Sequence, residues 1–473
     1  MTYTVGIIGL GAMGRLYAEK LSSNGFHVLA CDTLENYDRF KSELQGPNIE
    51  ILKDGHLVTR RSDYTIYSVE ASNIEAVVAK YGPSAKMGSI VGGQTSCKAP
   101  EIDAFEKYLP ADVSIIPIHS MHGPSVSTVG QPLAIVPHRL VAKDSLEIVK
   151  EILDCFKSRL VIISAKEHDK IAADVQAATH MAFLSMGTAW MNNKQYPWVN
   201  SRLCGGLENA KINIALRIYS NSWHVYAGLA ITNPQAHVQT VSYAKSVTDL
   251  LKLMISNKHE ELRERLYAAK RFVFQKVIDD PRHSLLLSDD LLGRFSLSNE
   301  TDDHPKQNSH LSILAIADCW YHMKIIPYDH MICSTPLFRI LLGITEFLFM
   351  TPNLLDNCIA DSLSSYEYRG DDVEFVVAAR SWSEAVQHGD FEAYRLMFEE
   401  TQKFFKHMFP EASKIGNEMM MVFSILVSDH FFLFVRLDKN RFLLIITTIC
   451  VWPKLESKNY KENFLEMSHA CQK

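Results

Sequence analysis

The stretch Val5-Gly6-Ile7-Ile8-Gly9-Leu10-Gly11-Ala12-Met13-Gly14 decides the fold. A short apolar run of this kind reads as a buried parallel strand, and the G-x-G-x-x-G spacing after it reads as a turn built against a pyrophosphate. Gly9 permits the tight turn, Gly11 lets the backbone approach the anion, and Gly14 lets the following helix pack on the strand. That helix is predicted over 13–24 and closes at Asn24-Gly25, where glycine tolerates the left-handed cap conformation. Asp32, at the end of the next apolar run, completes the pattern as the acidic residue expected at an adenosine ribose. The cofactor-binding set is therefore Gly9, Leu10, Gly11, Ala12, Met13, Gly14 and Asp32. Taken by itself, Asp32 favours NAD, because a carboxylate there repels a 2′-phosphate; Arg39, Arg60 or Arg61 would offset it if the fold brought one near.

Working outward, strands are predicted at 5–8, 27–31, 64–69, 89–91, 113–118, 133–136 and 160–164, alternating with helical patterns. This is the rhythm of a Rossmann-type α/β sheet over residues 1–165. From Glu167 the periodicity becomes helical, over 168–191, 234–256, 259–277 and 309–322, so an all-α domain is expected over 166–422. Residues 279–308 read as a polar surface insertion. Beyond 422 the chain ends in two apolar runs separated by Arg436 to Arg441, each short of the ~20 residues a membrane helix requires.

The chain has 473 residues, 47% of them apolar, enough for two or three domains with a large core. A net charge of −6 without a dense basic run excludes a nucleic-acid partner and leaves a compact anionic substrate, held by a few local cations. The nine cysteines form neither a zinc spacing nor a disulfide framework. With Met1 leading directly into the first strand, a cytoplasmic protein without membrane segments is the expectation.

The chemistry is expected at the carboxyl edge of the sheet. His119, at the end of Ser114-Ile-Ile-Pro-Ile-His119, is placed as a base beside a nicotinamide, and Gly92-Gly93-Gln94-Thr95-Ser96-Cys97-Lys98 brings a hydroxyl and an ammonium to the same edge. His122 with His119 lacks the carboxylate or cysteine companion of a metal site, so no metal is expected. His168 and Asp169 read as helix capping. His180, twelve residues on, falls about 120° around a regular helix from His168, so the two need not serve one site. Arg339, in apolar surroundings after Ser334-Thr335-Pro336, calls for an anionic partner.

These motifs, in this order, resemble the prephenate dehydrogenases. Ser68-Val-Glu-Ala-Ser-Asn73, Tyr219-Ser-Asn-Ser-Trp-His-Val-Tyr-Ala-Gly-Leu-Ala-Ile-Thr-Asn-Pro234 and Tyr328-Asp-His-Met-Ile-Cys-Ser-Thr-Pro-Leu-Phe-Arg339 are similar to the fungal NADP-dependent form, from about Gly6 to Met420. The resemblance implies a helical domain of the 6-phosphogluconate dehydrogenase type that forms a homodimer. It also implies oxidative decarboxylation of prephenate to 4-hydroxyphenylpyruvate, in tyrosine biosynthesis, with NADP as acceptor in spite of Asp32. His119 and Ser96 would then act at the substrate hydroxyl, Lys98, His180 and Arg339 would hold substrate, and His168 would be structural. Two alternatives stay open. One is a β-hydroxyacid dehydrogenase, since Gly205-Gly-Leu-Glu-Asn-Ala-Lys211-Ile-Asn213 is similar to that family's lysine segment. The other is a dinucleotide sensor without turnover.

Overall fold

The computed structural model describes residues 3–199, 206–278, 308–364 and 369–419, with positions 280, 283, 285–288, 292 and 366 between them. All of these belong to one compact unit, Met1–His430. The apolar tail and most of the expected surface insertion lie outside the described residues.

Nine strands form two sheets among the described residues. β1 (Thr4–Ile8), β2 (His27–Cys31), β3 (Ile49–Ile51), β4 (Tyr64–Tyr67), β5 (Ile90–Gly93) and β6 (Ser114–Ile115) make a parallel sheet in the order β3-β2-β1-β4-β5-β6. The chain starts in the middle, winds to one edge, then reverses, so the carboxyl ends of β1 and β4 flank the crevice where such sheets take ligands. Alternate residues feed two cores, Val5 and Ile7 on one face, Ile8 and Leu29 on the other. Burial on both faces explains why these strands are nearly continuous apolar runs. β3 is only three residues long and escaped the sequence reading.

The strand expected over 113–118 is not one strand. Ser114–Ile115 closes the large sheet, whereas β7 (Ile118–Ser120) pairs antiparallel with β8 (Pro132–Ile135), which runs parallel to β9 (Arg159–Ile162). The break falls at Pro117, which has no N–H to continue a ladder. Its carbonyl instead accepts from Val136 N at 2.8 Å. The chain thereby swings from one sheet to the next just before His119.

After β9 the fold is helical. The helix Ala165–Ala172 opens with a capping box in which Ser164 accepts from Glu167 N and the Glu167 carboxylate returns to Ser164 N. The helices Ala178–Asn192 and Pro336–Met350 are buried over most of their surface and form the centre of this domain. No single helix among the described residues is long and apolar enough to cross a membrane.

Candidate active site

The glycine loop is held by contacts between neighbours in sequence. Gly9 has φ +98°, a region that disfavours side chains, and a Cβ placed on Gly14 would stand 2.1 Å from the Gly9 carbonyl oxygen. Above Gly11 there is open space. The Asp32 carboxylate faces inward: Oδ2 accepts from Leu10 N at 2.6 Å, and Oδ1 accepts from Thr33 N at 2.8 Å and Asn36 Nδ2 at 2.9 Å. It ties the second strand to the phosphate loop, which tempers the expectation that it reserves the site for NAD. Of the three candidate arginines, Arg61 is paired bidentately with Glu50 at 3.1 and 2.8 Å, Arg60 is exposed, and Arg39 lies over the Phe40 ring at 4.4 Å. Arg15 lies 5.7 Å from the centre of the same ring and shares Glu43 with Arg39.

The second half of the site is assembled from three distant segments. His119 Nδ1 lies 2.8 Å from His168 Nε2, and His168 Nδ1 lies 2.9 Å from Asp169 Oδ1. Asp169 also accepts from the backbone N–H groups of Lys98 and Ala99, at 2.6 and 2.8 Å. It therefore caps the helix Ala99–Tyr108, which lacks a side-chain cap of its own residues. The expectation that His168 and Asp169 cap their own helix is corrected: Ser164 does that, and Asp169 caps a helix in the other domain. Asn233 Nδ2 fixes the Asp169 carbonyl at 2.9 Å.

Hydrogen bonding sets the tautomers. The Asp169 carboxylate only accepts, so His168 carries its proton on Nδ1 and offers a lone pair at Nε2; His119 then donates from Nδ1 and keeps the lone pair on Nε2. Burial holds His119 well below the ordinary histidine range, with His168, Lys98 and His122 adding to the effect. His168 is lowered too, chiefly by burial. Burial alone would push Asp169 up, yet the bonds from His168 and the two backbone N–H groups bring it below the usual carboxylate value. At neutral pH the chain is carboxylate, imidazole, imidazole, ending in an unprotonated Nε2.

A regular-helix reading misjudges the phase of His180 relative to His168. A π-helical segment, Ala173–Ala177, lies between it and His168. One extra residue in such a turn advances the phase by about 100°, reducing the expected 120° separation to about 20°. The His180 ring meets Tyr226 edge-on at 4.8 Å, and burial pulls its pKa down to about 3.

Two family models match the chain, both from the 6-phosphogluconate dehydrogenase group: the NAD binding domain over residues 4–112, and the C-terminal domain over residues 177–425. Prephenate dehydrogenase [NADP(+)] of Saccharomyces cerevisiae is 55% identical over 428 residues, covering 89% of this chain and 93% of that protein. The chain belongs to the prephenate dehydrogenase family. The probable prephenate dehydrogenase [NADP(+)] of Schizosaccharomyces pombe is likewise 55% identical, over 89% of this chain and 97% of that one. Among solved structures, the prephenate dehydrogenase from A. aeolicus with hydroxyphenyl propionate and NAD+ is 18% identical with a TM-score of 0.47, covering 59% of this chain and 99% of that one.

For a prephenate dehydrogenase, the remaining expected residues separate. Lys98 is not a free cation: its side chain is fully buried, with Nζ 2.6 Å from Glu101 Oε2 and 2.9 Å from the Ile118 carbonyl. An ammonium so paired is spent inside the protein, which argues against the expected contact with substrate. It fixes the residue before His119 instead. Ser96 is partly exposed at the tip of its turn and makes no hydrogen bond among the described residues. Arg339 is 6% exposed; Nη2 donates to Gln131 Oε1 at 2.8 Å and to the Ser334 carbonyl at 3.2 Å, while Nε has no partner. Burial and neighbouring Arg159 pull it down to about 10. Continuing the β7–β8 register places His122 opposite Gln131, so His122 and Arg339 converge on one end of the small sheet. His122 Nε2 is also buried without a partner.

Proposed function

We propose that this chain oxidises and decarboxylates prephenate to 4-hydroxyphenylpyruvate with NADP as hydride acceptor, a step toward tyrosine. The observation that carries the reading is the Asp169–His168–His119 chain, which delivers an unprotonated Nε2 beyond the carboxyl edge of a dinucleotide-binding sheet; the similarity to NADP-dependent relatives supplies the substrate class. The glycine loop fits a pyrophosphate, since the space over Gly11 is open and the helix Ala12–Ser23 begins there. With Asp32 turned inward, Asn36, Arg39 and Arg15 would hold a 2′-phosphate. NADP bound there supplies the hydride acceptor.

The protein's own part is proton handling and charge. His119 Nε2 takes the proton of the substrate's ring hydroxyl as hydride leaves the same carbon, the ring carboxylate departs as carbon dioxide with aromatisation driving the step, and the proton returns from His119 to the phenolate oxygen of the product. His168 accepts the hydrogen bond from His119 Nδ1, and Asp169 stabilises the positive charge that develops along the pair. Ser96 would orient the hydroxyl. Arg339 and His180 hold the substrate, the guanidinium taking a carboxylate. Lys98 acts as a positioning residue through Ile118.

We also infer a division near residue 165 between cofactor and helical domains, a homodimer and a cytoplasmic location. The exposed Val225, Val238 and Val241 on the helices His224–Thr232 and Pro234–Ile255 support a covered surface there. The test of the activity is initial rates with prephenate against NADP and NAD in parallel. Turnover favouring NADP is expected; turnover only of small β-hydroxyacids, or none, would overturn the reading.

A further inference from the structure

One histidine beside the reacting base is left unused by the proposed reaction. His122 is 8% exposed, and its Nε2 is buried without a partner. Its Nδ1 lies 2.9 Å from the Gly123 carbonyl, which only accepts, so Nδ1 carries the proton and Nε2 presents a lone pair. Arg339, from the helix Pro336–Met350, likewise keeps Nε buried and unbonded, and it pairs with no carboxylate among the described residues. Two unpartnered polar atoms from separate elements therefore stand at one end of the small sheet. Buried polar atoms are ordinarily satisfied, so the pair calls for a ligand.

Among the described residues the one charge that acts on His122 is Arg339, which adds to burial in holding it below the ordinary histidine range. His119, on the same segment, is neutral. Arg159 of β9 lies beside Arg339 and donates from Nη2 to the Ile332 carbonyl at 2.6 Å. Arg217, from the helix Leu207–Tyr219, reaches Ser125 Oγ at 3.2 Å. His122 is therefore neutral, and a carboxylate arriving between it and Arg339 reverses the balance, offsetting the guanidinium and giving an imidazolium its partner.

Reach and chemistry select the carboxylate. Three residues of chain separate His119 from His122, at most about 11 Å, so one ring with a hydroxyl at one end and carboxylates at the other can touch both. Prephenate is such a ring. Its ring carboxylate must give up an electron pair to leave as carbon dioxide, and two cations on it would withhold that pair. The side-chain carboxylate keeps its charge from substrate to product, so holding it tightly lowers KM without opposing the chemistry.

We propose that His122 Nε2 and the Arg339 guanidinium clamp the side-chain carboxylate of the substrate, and that His122 takes up one proton from solvent as it binds. This rests on the prephenate reading above and adds to it one binding residue and one proton. The imidazolium donates from Nδ1 to the Gly123 carbonyl and from Nε2 to the carboxylate, and the proton returns to solvent when product leaves.

The test uses 4-hydroxyphenylpyruvate, which retains that carboxylate and lacks the ring one. Titrated calorimetrically into the NADP-bound full chain at about pH 7.5, in phosphate and in Tris, it should bind with uptake of about one proton per molecule. His119→Asn should keep that uptake. His122→Gln, whose amide reaches the Nε2 position without titrating, should abolish it. In initial rates, KM for prephenate should rise up to about tenfold per pH unit above neutrality in the parental chain and stay flat in His122→Gln, with kcat within about threefold. A residue that merely held Gly123 would move neither readout. In a parental chain that turns over prephenate, absence of binding or of proton uptake would overturn the inference alone, as would uptake kept in His122→Gln or lost in His119→Asn. No turnover of prephenate would overturn the functional reading, and this inference with it. Should His122→Gln fail to fold, the proton counts of the parental chain and His119→Asn decide.

Discussion

The glycine loop and the histidine chain do comparable work by opposite means. The contacts that shape the loop join residues within the first βαβ unit: Gly9 to Gly14, Leu10 to Asp32, Asp32 to Asn36. The histidine chain joins Lys98, His119 and Asp169, which meet only when the helical domain docks on the sheet. The cofactor half can therefore form locally, whereas the base acquires its tautomer and its depressed pKa from tertiary contact. Damage to one half should spare the other.

The sharpest break is His119→Asn. It removes the base without touching the glycine loop, so kcat should fall by about 10²–10⁴, with NADP affinity by fluorescence titration unchanged. A matching loss of NADP affinity would show that the two halves are coupled. The reciprocal break is Gly14→Ala, whose Cβ would press on the Gly9 carbonyl. NADP affinity should drop more than about tenfold, with about 1–3 kcal/mol of stability lost by thermal unfolding, while prephenate still binds.

Asp169→Asn tests the tautomer argument. An amide at position 169 that donates to His168 Nδ1 reverses the chain, so that His168 donates to His119 and Nε2 of His119 carries the proton. We expect kcat to fall about 10²-fold and the loss of the cap on the helix Ala99–Tyr108 to cost about 1 kcal/mol, read together from kinetics and unfolding. Retained kcat with lowered stability would leave Asp169 as a cap alone.

Stability against pH sharpens the comparison further. His119, His168 and His180 all have folded pKa values below their unfolded value of about 6.5, so the unfolded chain binds more protons under acid. Their contribution is complete above pH 6.5 and is lost as pH falls toward about 3, where His180 titrates in the fold. Each histidine should take away about 1.4 kcal/mol per pH unit across its window, visible as a falling denaturant midpoint. The His119→Asn variant should show a shallower slope, while Gly14→Ala should keep the parental one.

Asp32 and Lys98 show where a residue's type misleads about its job. Both stand at the positions that motif reasoning assigns them, but Asp32 bonds its own loop and Lys98 pairs with Glu101. Residue identity announces charge, while the direction a side chain faces depends on which partners folding brings within hydrogen-bond reach. Glu101 sits three residues after Lys98, a spacing at which ion pairs form on a helix, so that pairing was open to sequence reasoning. The His119–His168 bond was not, because nothing in either segment specifies the other.

By itself, the sequence determined the parallel sheet, the glycine loop and the change to a helical domain. Those follow from local periodicity, backbone sterics and short-range hydrogen bonding, which act between near neighbours along the chain. Tertiary structure decided the split of one apolar run at Pro117 into two sheets, the bridge from Asp169 to His119, and the convergence of Arg339 on His122. It also set the phase of His180. That phase turned on one added residue in the π-helical turn Ala173–Ala177, which packing selects and composition does not encode.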